Sequence, residues 1–336
     1  MSQKNVSGLS YLQQGLEGKS AWWSWLCVFA ITVVVWLVAQ TVLIGIMVGA
    51  TAALSPDLFQ EFVDISSTVP ADGAALTETI NKMMGASPIT LALFLLTFPA
   101  ALIGLYSGQK FIHKRSLTSL HTAFKRFRFA RALQGFFVIW GVLAVATFLA
   151  KALGAPVNYI FDPARFLGFF IVSLLFIPLQ SATEEIIFRG YFNQALGNFI
   201  NNKWIVFTLT SLAFMALHLS NPEALEGAKN GELPIVMSGY FFFGFACCIL
   251  VMIDDGLESA IGLHAGNNTF AAIFVNYEGS VLPTPSIWQT VPDPTKDAIG
   301  TIITLTVAVA ILYYLKPKAP REYSLSQNGS PTAMFD

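Results

Sequence analysis

Three ionisable side chains fall within six positions of an otherwise apolar run, Thr183-Glu184-Glu185-Ile186-Ile187-Phe188-Arg189. A charge at the centre of a bilayer is expensive, so each of these groups needs a partner or a function. Glu185 and Arg189 are four apart with the acid first, the favourable order for an ion pair on one helix face. Glu184 is turned about 100° from Glu185 by the helical period and points elsewhere. One carboxylate is therefore neutralised structurally and the other is left over. A leftover acid in dry surroundings suits general acid/base chemistry.

Two of the four histidines, His218 and His264, also lie in apolar runs. The runs carrying Glu184 and His218 are joined by the polar turn Gly197-Asn198-Phe199-Ile200-Asn201-Asn202-Lys203. In an antiparallel hairpin the two side chains are nearly equidistant from that turn, so they differ in depth by only a few Å and can meet. Phe214 precedes His218 by one turn and can wall the imidazole. His264 and Asn268 are again four apart, an imidazole beside a carboxamide, which supplies two adjacent donors for a developing oxyanion. Gly262 and Gly266 clear space around His264 for another helix or a substrate backbone. Serine chemistry is poorly supported, because neither Ser181 nor Ser220 has a base at helical spacing.

The elements that position these residues follow from the composition. Of 336 residues, 54% are apolar and 12% charged, against roughly 25% charged in a soluble domain. A disordered chain, a disulfide scaffold and an ordinary soluble enzyme are thereby disfavoured. The net charge of −1 gives no field for nucleic acid. Cys27, Cys247 and Cys248 all sit in apolar stretches and read as packing residues. A spanning helix needs about 20 mostly apolar residues. Eight runs qualify: 24–48, 88–107, 132–150, 165–192, 204–220, 233–253, 257–276 and 298–315. The expectation is an all-α polytopic membrane protein. The first run follows a polar stretch and lacks a cleavage site, so it reads as a span and not as a signal peptide.

Charge then sets orientation. Segment 108–131 carries Lys110, Lys114, Arg115, Lys125, Arg126, Arg128 and Arg131 with no acid, which assigns it to the cytoplasm. Its Phe111, Phe124, Phe127 and Phe129 suit a helix lying on anionic lipid, with a solvated loop as the alternative. Loop 51–87 holds Asp57, Glu61, Asp64, Asp72 and Glu78 against Lys82 alone, and so falls outside. There Pro56, Pro70 and Pro88 punctuate two short helices. Lys316, Lys318 and Arg321 return the C-terminus to the inside. The organisation expected is a cytoplasmic segment 1–23, one membrane domain 24–315 and a polar cytoplasmic tail 316–336, in a bacterial cytoplasmic membrane. One tension accompanies this layout. His218 stands roughly 25 Å above the cytoplasmic turn, so either that turn projects beyond the bilayer or the site lies towards the outer leaflet.

Glu184-Glu185-x-x-x-Arg189, Phe214-x-x-x-His218 and His264-x-x-x-Asn268 together resemble the three-motif signature of the CPBP family of intramembrane proteases, which groups CAAX prenyl endopeptidases with bacteriocin-processing and Abi-type membrane proteins. The signature covers 165–276. The resemblance implies about eight helices enclosing an intramembrane cavity in which a peptide bond is hydrolysed. The substrate would be a membrane-embedded or lipid-anchored peptide or protein, with prenylated CAAX chains as the family's namesake. Carried over, Glu184 and His218 activate water, His264 and Asn268 form the oxyanion hole, and Glu185, Arg189 and Phe214 support them. A metal-free mechanism is favoured, since the zinc motif HExxH is absent. Zinc on Glu184, His218 and His264 is the alternative. Two other classes stand beside the protease: a catalytically idle scaffold or immunity factor, and a proton-coupled transporter. No inverted repeat supports the transporter.

Overall fold

The computed structural model describes residues 10–68 and 73–316. Pro70, Asp72, Lys318, Arg321 and the tail beyond Lys316 lie outside the described residues. The chain runs α1 (Ser10–Gln13), α2 (Trp22–Leu54), α3 (Pro56–Ser67), α4 (Gly73–Ala86), α5 (Pro88–Phe111) and α6 (Phe129–Ala152). It continues through α7 (Pro163–Glu185), a π-helical stretch Ile186–Phe192, α8 (Asn193–Gly197), α9 (Lys203–Leu217), α10 (Pro222–Lys229), α11 (Leu233–Asp254), α12 (Glu258–Ile273) and α13 (Pro294–Tyr314). The fold is all-α and polytopic, an integral membrane protein.

All eight apolar runs are helical, but they are not eight equal spans. Six helices among the described residues are long and apolar enough to cross a bilayer, the one from Pro163 to Gly197 being continuous through the π stretch. The fifth expected run, 204–220, stops at Leu217 because the chain bends by 84° into α10. Counting that bent pair as one span gives seven. The seventh run is the sixteen-residue α12, flanked by turns at both ends.

Local sequence explains where helices begin. Ser87 accepts from Thr90 N in a capping box ahead of Pro88, and Asp162 accepts from Ala164 N ahead of Pro163. Asn202 accepts from Trp204 N and Ile205 N, starting α9 directly after the polar turn. Each cap satisfies donors that the first helical turn leaves open. Gly262 and Gly266 admit another helix: a Cβ on Gly262 would collide with Ala132 O, and one on Gly266 would lie 2.7 Å from Phe136 O, both on α6.

Loop 51–87 forms α3 and α4, the two short helices expected of it. At the same end of the molecule β1 (Asn158–Tyr159), β3 (Trp288–Thr290) and β2 (Val275–Tyr277) make a small sheet in the order β1-β3-β2. The β1–β3 pair is antiparallel and the β3–β2 pair parallel. Asn81 Nδ2 donates to Ser280 O at 2.8 Å, tying α4 to the loop beneath β2.

The basic segment departs from both expectations for it. Within its interior only Leu117–Leu120 is helical, as a short 3-10 turn, and three of its cations are folded inward. Arg115 Nη1 donates to Gln14 O at 2.8 Å and to Gln194 Oε1 at 3.2 Å, and its guanidinium lies 4.7 Å over the Trp25 ring. Arg128 pairs with Glu258 at 2.8 Å and Arg131 with Asp254 at 3.0 Å. Buried cations are tolerable when carboxylates and carbonyls surround them, and here the partners come from chain segments distant in sequence. The segment is a folded clasp, with Lys110, Lys114, Lys125 and Arg126 left exposed.

The clasp also fixes how far the α8–α9 turn extends. A Cβ on Gly190 would come 2.8 Å from Leu120 O and 3.4 Å from Leu257 Cδ1, so Gly190 is level with the turn joining α11 to α12. The chain continues from Gly190 to Gly197 before turning, so the α8–α9 turn projects about 10 Å further. Gln194 Nε2 holds the projection by donating to Ser119 O at 2.6 Å. The long climb to His218 is measured from this extended tip.

Candidate active site

Glu184 and Glu185 end the α-helical part of α7, and from Ile186 the backbone widens into the π stretch. Such insertions recur at functional sites because they re-aim the side chains of one turn. Arg189 Nη1 donates to Glu185 Oε1 at 3.0 Å with both side chains fully buried, the ion pair that their spacing predicts. The guanidinium rests 4.2 Å from the centroid of the Phe214 ring. Gly244 on α11 leaves room for it, since a Cβ there would stand 3.0 Å from Arg189 Nη2.

Glu185 has a second partner that the sequence does not reveal. Its Oε1 lies 2.7 Å from His264 Nδ1. An ionised carboxylate only accepts, so Nδ1 carries the proton and the ring orientation is fixed. The other ring nitrogen, Nε2, then faces Glu184 Oε2 at 3.7 Å.

Glu184 points away from Glu185, as its rotation on the helix requires. Its Oε1 accepts from Gln180 Nε2 at 2.5 Å, whereas Oε2 is buried without a hydrogen-bond partner. The side chain as a whole keeps 16% of its exposure. Buried polar atoms are nearly always paired, and an exception calls for an explanation.

His218 caps the end of α9 at the bend towards α10. Its Nδ1 donates to Phe214 O at 2.8 Å, because a carbonyl can only accept, leaving Nε2 without a proton in the neutral ring. The ring lies 4.4 Å from that of Phe214 and 4.5 Å from that of Tyr240. No hydrogen bond joins His218 to Glu184 among the described residues. Equal distance from the turn fixes depth alone, and azimuth turns Glu184 towards His264 instead. Phe214 neighbours both imidazoles, its ring 6.1 Å from that of His264.

Asn268 faces α7, one turn beyond His264. Its Nδ2 lies 3.4 Å from both Gln180 Oε1 and Ser181 Oγ, and its Oδ1 accepts from Asn267 Nδ2 at 3.1 Å. The expected His264–Asn268 donor pair is therefore half committed, because the Nδ1 proton is used on Glu185. Gln180 and Phe243, whose ring lies 4.8 Å from that of His264, complete the surroundings. Neither stands out in the sequence. The one signal for Gln180 is a lone amide one turn before Glu184 in an apolar run.

As arranged, Glu184, His218 and His264 do not converge as the three ligands of a zinc ion. No group of three or more His, Cys, Asp or Glu side chains is gathered for a metal among the described residues. Glu184 and His264 approach one another, but His218 is turned into the aromatic stack.

Residues 163–270 match the family model described as type II CAAX prenyl endopeptidase Rce1-like. The segment is similar to that family. It holds all three motifs, from Glu184 through Asn268, and with them every side chain of the polar cluster. The family is one of CAAX-type intramembrane proteases. Over almost its whole length the chain is also similar to the uncharacterized protein YyaK of Bacillus subtilis (strain 168), 27% identical over 317 residues, a match covering 92% of this chain and 98% of that one. No solved structure matches the chain.

Proposed function

We propose that the Rce1-like segment is the catalytic centre of an endopeptidase that hydrolyses a peptide bond in a membrane-embedded or lipid-anchored peptide. The observation that carries this reading is the buried, unpaired Oε2 of Glu184, 3.7 Å from His264 Nε2 in the middle of apolar helices. Glu184 takes a proton from water, and the hydroxide oxygen bonds to the scissile carbonyl carbon. The oxyanion that forms is met by Asn268 Nδ2 and by Nε2–H of a protonated His264, whose positive charge Glu185 balances through Nδ1. Collapse of the tetrahedral intermediate breaks the C–N bond, and the amine leaves with the proton that Glu184 had taken. His218, its Nδ1 proton spent on Phe214 O, keeps a lone pair on Nε2 and assists the transfers to and from water.

Glu185 and Arg189 brace the centre from behind. Neutral packing would serve an idle scaffold better, since buried ion pairs rarely add net stability over well-packed apolar side chains. The test is incubation of purified protein in detergent with C-terminally extended peptides, with and without a farnesyl-modified cysteine, followed by mass-spectrometric mapping of products. Defined cleavage supports the endopeptidase, and the difference between the two peptide sets gives its prenyl dependence. Absence of any product with either set counts against the reading.

A further inference from the structure

Gln180 is 8% exposed on α7 and belongs to none of the three motifs. Its carboxamide is nevertheless oriented from both sides. A carboxylate only accepts, so the atom facing Glu184 Oε1 at 2.5 Å is the amide nitrogen. On the opposite side Gln180 Oε1 lies 3.1 Å from Ser181 Oγ and 3.4 Å from Asn268 Nδ2. Asn268 is itself turned by Asn267 Nδ2, which donates to its Oδ1 at 3.1 Å. Turning the Gln180 amide over would set an oxygen against the carboxylate and two NH2 groups against each other. In a dry interior both contacts are strongly unfavourable. Only one arrangement of the three side chains is satisfied.

We propose that Gln180 is a positioning residue for the hydrolysis: it clamps Glu184 by one oxygen so that the other faces His264 Nε2, and it ties that orientation to Asn268 on α12. The proposal rests on the endopeptidase reading of the same site. A glutamate side chain has three rotatable bonds, and an unclamped carboxylate at this position turns its reactive oxygen away. The link to Asn268 has a further consequence. The two long contacts at 3.4 Å are weak enough for a substrate oxygen to replace, and the amide then stays aimed at the oxyanion while Gln180 still holds the base.

The test uses the full-length protein in detergent. Gln180→Met keeps the length and volume of the side chain without its amide, and Gln180→Asn keeps an amide one methylene too short to reach. Two readouts are taken on each variant that remains monodisperse. The first is kcat and KM on a cleaved peptide. The second is labelling of Glu184 by a hydrophobic carbodiimide, mapped by mass spectrometry with Glu184→Gln as the blank. Both variants are expected to lower kcat on the order of 10- to 100-fold with little change in KM, as misplacement of a reacting group does. Labelling of Glu184 is expected to rise several-fold as its carboxylate is freed. Wild-type kcat and wild-type labelling in Gln180→Met would overturn the proposal while leaving the endopeptidase reading intact. Raised labelling in a protein whose wild type cleaves no peptide would uphold the clamp and count against the endopeptidase.

Discussion

Oε1 of Glu185 meets two donors at once, His264 Nδ1 at 2.7 Å and Arg189 Nη1 at 3.0 Å. Arg189 and Glu185 share one helix, whereas His264 comes from α12, so this oxygen joins a local ion pair to a tertiary contact. The carboxylate fixes the orientation of the imidazole, and the guanidinium holds the carboxylate in place. An imidazole held in this way presents one chosen nitrogen to the reacting centre.

Glu185→Gln removes the charge and leaves a buried Arg189 unpaired. Breaking such a pair costs about 3–5 kcal/mol. Thermal unfolding in detergent should show a large drop, accompanied by loss of turnover. The double variant Glu185→Leu/Arg189→Met should recover much of the stability and none of the activity, because His264 remains unheld. A fully active double variant would show that Glu185 has no part in orienting His264.

Gly262→Ala places a methyl group where Ala132 O already stands. Backbone is all that can yield, so α6 and α12 must separate. Overpacking of this kind costs about 1–3 kcal/mol, or more where no side chain can move. At Gly141, also on α6, a Cβ would have nothing within 4 Å of it. Gly141→Ala should be neutral or slightly stabilising in the same unfolding measurement, and equal effects from the two substitutions would refute the close helix contact.

His113 lies outside the spanning helices and is fully buried in the clasp. Its Nδ1 meets Lys19 O at 2.7 Å, and the Trp25 ring lies 4.4 Å from its own. Burial pushes its pKa down from the ordinary 6.5 to about 4; the Lys19 carbonyl opposes the shift and the Arg115 charge adds to it. Between those two values the unfolded chain binds a proton that the folded chain does not. Its contribution to stability is therefore complete above pH 6.5 and is lost as the pH falls towards 4. Unfolding temperatures measured across this range should fall more steeply for wild type than for His113→Gln. Parallel curves would contradict the assignment.

Much of this architecture can be read from local patterns. Apolar runs mark the helices, and the four-residue spacing of Glu185 and Arg189 announces their pair. Features that depend on distant chain segments are not visible in this way. Hydropathy continues through 204–220, so nothing in that run signals the bend after Leu217. The charges of 108–131 read as surface because Glu258 and Asp254, which take up Arg128 and Arg131, lie more than a hundred residues away. Depth counted along a hairpin brings Glu184 and His218 level, but it does not give the azimuth that turns Glu184 to Gln180 and His264. Gln180 carries no charge and so does not stand out from its apolar run, although it makes the shortest contact to the carboxylate.

Glu184 as the base is the central claim, and turnover by Glu184→Gln beside wild type tests it most directly. The substitution preserves shape and replaces one carboxylate oxygen, with the negative charge, by an amide nitrogen that cannot accept a proton from water. On a peptide that wild type cleaves, the variant should show a loss of at least about 100-fold in kcat, the scale of a positioned general base, with an unchanged elution profile and unfolding temperature. Wild-type turnover by a well-folded Glu184→Gln would contradict the account.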